Sequence, residues 1–371
     1  MRVLVVSGIW PPDVGGPASH APEVAAFLAE RGHAVEVVTT ASREPARERY
    51  PVHWVPRSLP RGVRHLRGAA LVRARAARAD VVYTTGMFGR SCAGSTAARR
   101  PFVVKLTADP AFERARRRGL VGGDVDAFQA SGLDPRLAVL RLARDVELRR
   151  AAHVLCPSAY LRELAVSWGV PAGRVSVLPN PYPALPELPP RDELRRSFGM
   201  DGPTLAFAGR LGPQKALEVA LAAVDAVDGV SLLVAGDGDE RARLEALAGP
   251  RVRFLGPQPR ERVLELFRAA DAAILSSIWE NFPHTVVEAL AVGTPVVATR
   301  VGGVAEVVRD GENGLLVEVG DADALAAAVR RFFADEPLRE RLRAAAAESV
   351  RAYDREAIFG RLERVLLDAA A

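Results

Sequence analysis

IWENFPHTVVEALAVGTPVVA, residues 278–298, reads as a loop, a helix and a buried strand in succession. Pro283 breaks the loop, and Val286, Val287, Leu290 and Ala291 then recur at helical spacing until Gly293 ends the run. Pro295-Val-Val-Ala298 begins a strand buried on both faces. A helix that starts beside a bent loop turns backbone N–H groups and the positive end of its dipole forward, which suits an anion such as a diphosphate. The stretch carries two glutamates, Glu280 and Glu288, eight residues apart. Along a helix that separation is about 12 Å, too wide to flank one glycosidic bond at the roughly 5–9 Å that glycosidases use. Two readings stay open. Either each carboxylate meets a different end of a long ligand, or Glu280 is an ordinary surface residue and Glu288 complements the dipole.

Moving outward, the same alternation repeats on both sides. Thr204–Ala208 reads as a strand ending in Gly209-Arg210-Leu211-Gly212-Pro213-Gln214-Lys215, with a helix from about Ala216. A strand, a glycine turn, an Arg and a Lys before a helix form a phosphate cradle, Arg210 offering a planar fork and Lys215 a point charge. Further strands are expected at Ser231–Ala235, followed by Gly236-Asp-Gly-Asp239, and at Val252–Gly256, Ala272–Leu275, Pro295–Ala298 and Gly314–Val317. The Asp-x-Asp at 237–239 fits a strand-to-helix turn better than a metal site.

The N-terminal half follows the same plan. Arg2–Ser7, a Gly-rich loop containing Gly15 and Gly16, a helix over Glu23–Arg31 and a strand over Ala34–Thr39 make a βαβ unit. The loop lacks the GxGxxG spacing, so a nicotinamide cofactor is not indicated. Strands are expected at Val81–Thr84, Phe102–Leu106, Val154–Cys156 and Val175–Leu178. Asp109, just past a strand and before Pro110, either faces a ligand crevice or caps the following helix. PYPALPELPP, within 181–190, has the composition of a stiff linker. The expected organisation is therefore 1–180, a linker at 181–202, a second domain at 203–350 and a final segment at 351–371. The fold class is α/β with two Rossmann-like domains and parallel sheets.

Composition agrees with a globular chain: 371 residues, 49% hydrophobic and 26% charged, which suggests two domains. Of 50 basic residues only Lys105 and Lys215 are lysines. Residues 1–180 carry a net charge of +12 and the remainder −7, so the first half favours an acidic partner such as an anionic membrane surface or a phosphorylated acceptor, ahead of nucleic acid. Cys92 and Cys156 have no metal or redox spacing, and a reducing cytoplasm is expected. The apolar run at the start is short for a signal peptide, and no window reaches the ~18 apolar residues of a membrane span.

With Gly209-Arg210…Lys215, Gly236-Asp-Gly238, Phe254-Leu-Gly256 and Glu280-x7-Glu288 in order, the chain resembles the family 4 retaining glycosyltransferases of GT-B fold. The resemblance implies two Rossmann-like domains facing a cleft, the second holding a nucleotide-sugar and the first the acceptor. Carried over by position, Gly209, Arg210 and Lys215 would hold the diphosphate and Glu288 the ribose. Glu280, Asn281, Phe282 and Pro283 would hold the donor sugar, with Phe254 and Leu255 near the base. Gly15 and Gly16 would approach the phosphates or acceptor, and the last helix would return to the first domain. Arg210, Lys215, Glu280 and Asp109 are the implied catalytic set. No metal and no separate cofactor are implied, because basic side chains do the work of a cation. The implied partners are a UDP- or GDP-sugar and a glycolipid, polysaccharide-precursor or small-molecule acceptor, with peripheral membrane contact and no nucleic acid.

Two departures stand out. Ala108 occupies the place where many members carry a His, and Ala216 replaces the glycine usual after the phosphate lysine. His284 is the histidine nearest the expected site. A nucleotide-sugar epimerase of the same fold, and a non-catalytic nucleotide-sugar-binding or scaffold protein, remain as alternative readings.

Overall fold

Short runs of Val, Leu, Ile and Ala build parallel strands in both halves of the computed structural model, which describes residues 1–13, 16–122, 125–132 and 134–371. The chain divides into two units, Met1–Leu178 with Phe359–Ala371, and Pro179–Ile358. In the first unit β1 (Arg2–Ser7), β2 (Ala34–Ala41), β3 (Val52–Pro56), β4 (Val81–Thr84), β5 (Phe102–Lys105), β6 (His153–Cys156) and β7 (Val175–Val177) form one sheet in the order β3-β2-β1-β4-β5-β6-β7. Every pairing is parallel, with Val3 opposite Val35 on one side and Val81 on the other. The central strands are apolar at consecutive positions because helices cover both faces. β3 escapes the sequence reading because it is an edge strand, half-buried along most of its length, so it lacks a continuous apolar signature. The first helix, Gly16–Glu30, begins more than a turn before the expected Glu23. Gly16 lies at its start, and Gly15 falls outside the described residues.

The second unit contains β8 (Thr204–Ala208), β9 (Ser231–Ala235), β10 (Val252–Gly256), β11 (Ala272–Leu275), β12 (Val296–Thr299) and β13 (Gly314–Val317), ordered β10-β9-β8-β11-β12-β13. All pair in parallel. From β8 the chain builds outward through β9 and β10, then returns to lay β11 against the other side of β8. The carboxyl ends of β8 and β11 therefore flank the point where the winding direction switches, the place where open α/β sheets bind ligands.

The segment expected as a linker, 181–202, lies in the second unit, and only its first part is irregular. Arg191–Phe198 is a helix with Asp192 and Glu193 in its first turn. Leu194 and Phe198, one helical turn apart, are buried in that unit's core, so burial overrides the surrounding prolines. The final helix, Arg355–Ala370, is cut by the division, its residues from Phe359 onward belonging to the first unit. There Phe359 meets Phe27 edge-on at 5.5 Å between ring centroids, and Glu363 pairs with His33 at 2.7 Å. Lys105, fully buried at the end of β5, donates its ammonium to the Leu178 carbonyl. Burial pushes its pKa down to about 7.

Candidate functional site

The loops leaving β8 and β11 bring together the residues singled out in the sequence. After β8 the chain turns through Gly209 and Arg210 into a short 3-10 turn, Pro213–Lys215. After β11 it runs through Ser276, Ser277 and Glu280 to the helix His284–Ala291. Gln214 ties the two loops at the backbone, its carbonyl accepting from Ile278 N at 3.0 Å and its side-chain amide donating to the Trp279 carbonyl at 2.8 Å. Ser276 Oγ donates to the Lys215 carbonyl at 3.0 Å. Across this join Lys215 Nζ forms an ion pair with Glu280 Oε1, which also accepts from Ser277 Oγ at 2.8 Å. Both side chains are mostly withdrawn from solvent, with exposures of 18% for Lys215 and 7% for Glu280.

Two glycines make the backbone crossings possible. A Cβ at Gly302, whose φ is +45°, would lie 1.9 Å from the Glu280 carbonyl oxygen, and Gly303 N donates to that oxygen at 3.0 Å. A Cβ at Gly236 would lie 1.8 Å from the Gly209 carbonyl oxygen. The loops after β8, β9, β11 and β12 are thus packed backbone to backbone, which fixes the carbonyls and amides around Lys215 and Glu280. Ala216 adopts φ +42° and ψ 44°, the left-handed region that a Cβ disfavours. That conformation is the reason a glycine suits this place.

Arg210 is exposed and pairs with Asp239 at 2.9 Å, so the arginine sits beside the Gly236–Asp239 loop without being buried by it. Glu288, within the helix, is buried and accepts from Arg260 at 2.9 Å. Burial raises its pKa, and Arg260 counters this only in part. Among the described residues no side chain caps the helix His284–Ala291, and its first turn contains no acid. Asn281, Phe282 and Pro283 are buried, while His284 is exposed, stacked edge-on to Phe282 at 5.1 Å and 3.2 Å from the Asn180 amide. Phe254 and Leu255 are half-buried on the edge strand β10. Arg260 and Ser277 were not singled out in the sequence: their partners stand 28 and three residues away, and neither belongs to a recognisable spacing.

Asp109 resolves into the capping alternative. It is buried, its Oδ1 accepts from Ala111 N at 2.8 Å, and its Oδ2 accepts from Arg144 and Gln129 at 2.8 Å each. Arg144 in turn lies 3.9 Å above the Trp168 ring. A carboxylate so fully engaged inside the first unit positions the helix Pro110–Arg116 and presents no free oxygen to a ligand, so the crevice-facing reading of Asp109 does not fit this geometry. Among the described residues no group of three or more His, Cys, Asp or Glu side chains is placed to hold a metal ion.

The sequence model described as "Glycosyl transferases group 1" matches residues 190–349, and that described as "Glycosyl transferase 4-like domain" matches residues 15–181. A D-inositol 3-phosphate glycosyltransferase of Acidothermus cellulolyticus is 31% identical over 91% of this chain and 82% of its own length. The chain belongs to the group 1 glycosyltransferases. The lipopolysaccharide core biosynthesis glycosyltransferase LpsE of Rhizobium meliloti is 40% identical over 173 residues, a match that spans 45% of this chain and half the length of that relative. Among solved structures, Anabaena HepE in complex with UDP and glucose superposes with a TM-score of 0.78 over 99% of this chain and all of that one, at 21% identity. That likeness establishes the GT-B fold of this group 1 member.

Proposed function

We propose that this protein transfers a sugar, with retention at the anomeric carbon and without a metal ion, from a UDP- or GDP-sugar to a hydroxyl of a lipid-linked or polysaccharide-precursor acceptor in the cell envelope. The reading is carried by the Lys215–Glu280 pair held across the carboxyl ends of β8 and β11, in a chain of this family. Lys215 and Arg210 supply the positive charge that a departing nucleoside diphosphate requires, in place of a divalent cation. Glu280 has its Oε2 free of hydrogen bonds among the described residues, and this oxygen accepts from a donor-sugar hydroxyl. Glu288 accepts from the ribose, with Arg260 holding its carboxylate. The lipid-linked acceptor is favoured by the role of the relative LpsE in lipopolysaccharide core biosynthesis and by the +12 charge of residues 1–180. The protein works in the cytoplasm, at the inner face of the membrane.

The test is a thermal-shift screen of UDP-, GDP-, ADP- and dTDP-sugars with and without EDTA. A donor at 100 times its Kd stabilises the folded state by about 2.7 kcal/mol, a rise of roughly 5–10 °C for a unit of this size. The expected result is an EDTA-insensitive rise with one nucleotide, followed by transfer from that donor. No rise with any of them removes the donor-site assignment, and an EDTA-sensitive rise removes metal independence.

A further inference from the structure

The first unit exposes apolar surface where a soluble helix carries polar residues. The helix Arg61–Ala76 turns Gly68, Val72 and Ala76 inward. Its opposite face presents Val63, Leu66, Ala70 and Ala74 at three- and four-residue spacing, with Leu66 75% exposed and Val63 41%. Solvent-facing positions of a surface helix are ordinarily polar or charged. Arg67 and Arg73 flank the stripe, and the helix contains five arginines and no acidic residue. The helix Pro135–Arg149 repeats the apolar exposure but not the charge, since it carries Asp145 and Glu147 beside four arginines. It buries Leu137, Leu140 and Leu148 while exposing Val139 at 66% and Leu142 at 60%, with Arg149 and Arg150 at its end.

Both helices lie on one face of the sheet. The crossovers β3 to β4, β4 to β5 and β5 to β6 all travel in the same direction across the strand order, and right-handed crossovers then place their helices on the same side. The intervening helix, Phe88–Ala98, is drawn in by Gly94 against Val72 and by Gly89 against Glu147. Its exposed side chains Ala93, Thr96 and Ala97 are small. Charge is concentrated on the same segment. Residues 51–100 carry ten arginines and one acid, Asp80, and Asp80 is paired with Arg2. Arg61, Arg67 and Arg73 make no ion pair among the described residues.

We propose that this face, carrying Val63, Leu66, Val139 and Leu142 within a rim of arginines, seats on an anionic lipid bilayer, the apolar side chains entering the interface and the guanidiniums meeting headgroup phosphates. Apolar residues surrounded by uncompensated positive charge match a negatively charged surface with a hydrocarbon interior. They match a second copy of this chain poorly, because the facing arginines would repel, and they match nucleic acid poorly, because exposed leucines gain nothing from a phosphate backbone. The inference rests on the lipid-linked acceptor proposed above and assigns the surface by which the enzyme reaches it.

The full-length protein is sedimented with vesicles of phosphatidylcholine alone and of phosphatidylcholine with phosphatidylglycerol in equal parts. Binding is expected only to the anionic vesicles and weakens as salt rises. Arg67→Gln with Arg73→Gln lowers affinity by about 25-fold, each arginine near such a surface contributing roughly fivefold. Leu66→Gln with Leu142→Gln also weakens binding, whereas Arg196→Gln with Arg331→Gln in the second unit leaves it unchanged. Equal binding to neutral vesicles, face variants that bind as the wild type does, or a dimer abolished by the leucine changes would each overturn the proposal. The nucleotide-sugar shift is read on every variant. A wild type that shifts with donor yet ignores vesicles loses the docking surface alone, and one that binds vesicles without a donor shift loses the transferase reading alone.

Discussion

Replacing Lys215 with Met tests whether the ion pair at the junction of β8 and β11 holds the site together. In the native protein Glu280 Oε1 has two partners, Lys215 Nζ and Ser277 Oγ, and its side chain is 7% exposed. Lys215→Met keeps most of the side-chain volume but strands a carboxylate that water barely reaches. Breaking a buried pair from one side is typically worth 3–5 kcal/mol. Because Lys215 retains 18% exposure, we take the lower bound, about 3 kcal/mol. For a unit of this size each kcal/mol moves the midpoint by about 2–4 °C, giving a fall of roughly 6–12 °C in calorimetry of the full chain. Lys215→Met with Glu280→Gln removes both charges, so the double variant recovers much of the loss, and the coupling energy reports the pair directly. A Lys215→Met protein melting within about 2 °C of the wild type would show that the pair is not what fixes Glu280. If it melts lower yet keeps its nucleotide-sugar shift, Lys215 is structural and not a phosphate ligand.

Two further outcomes follow from buried carboxylates. Asp109→Ala removes a helix cap and one of the two carboxylates that pair with the buried Arg144, Asp145 remaining at 2.9 Å, so calorimetry should show a loss of about 2–4 kcal/mol; a variant that keeps its melting temperature and loses turnover would return Asp109 to the reacting centre. Glu288 has a pKa raised above its ordinary 4.5 by burial, so folding favours the protonated acid and its ionisation opposes folding as pH rises through that range. Glu288→Gln should therefore melt higher than the wild type at neutral pH, the gap closing toward pH 4.5, while weakening nucleotide binding; equal melting curves at all pH values would refute the burial argument.

What could be read from the sequence was what is local. All six strands of the second unit are short apolar runs ending in glycine, serine or charged residues, and each lies within a residue of its expected bounds. The Lys215 and Glu280 positions were legible because loop, glycine and charge occur together. Their pairing was not, since it depends on β11 returning beside β8, 65 residues later. The two readings of Asp109 were equal in sequence because the residues that decide between them, Gln129 and Arg144, are 20 and 35 positions away. Arg191–Phe198 was hidden by neighbouring prolines, its helix secured by Leu194 and Phe198 packing on residues distant in the chain.

The near-total replacement of lysine by arginine gives this chain an unusual chemical simplicity. Apart from the α-amino group it offers only two primary amines. Lys105, although its depressed pKa of about 7 would make it a good nucleophile, has zero exposure and is closed to reagents in the folded state. Lys215 keeps a partial opening to solvent. Acylation with a small amine-selective reagent, read by peptide mass, therefore interrogates the junction of β8 and β11 almost without background, and a molecule resting on that lysine leaves its footprint at a single residue.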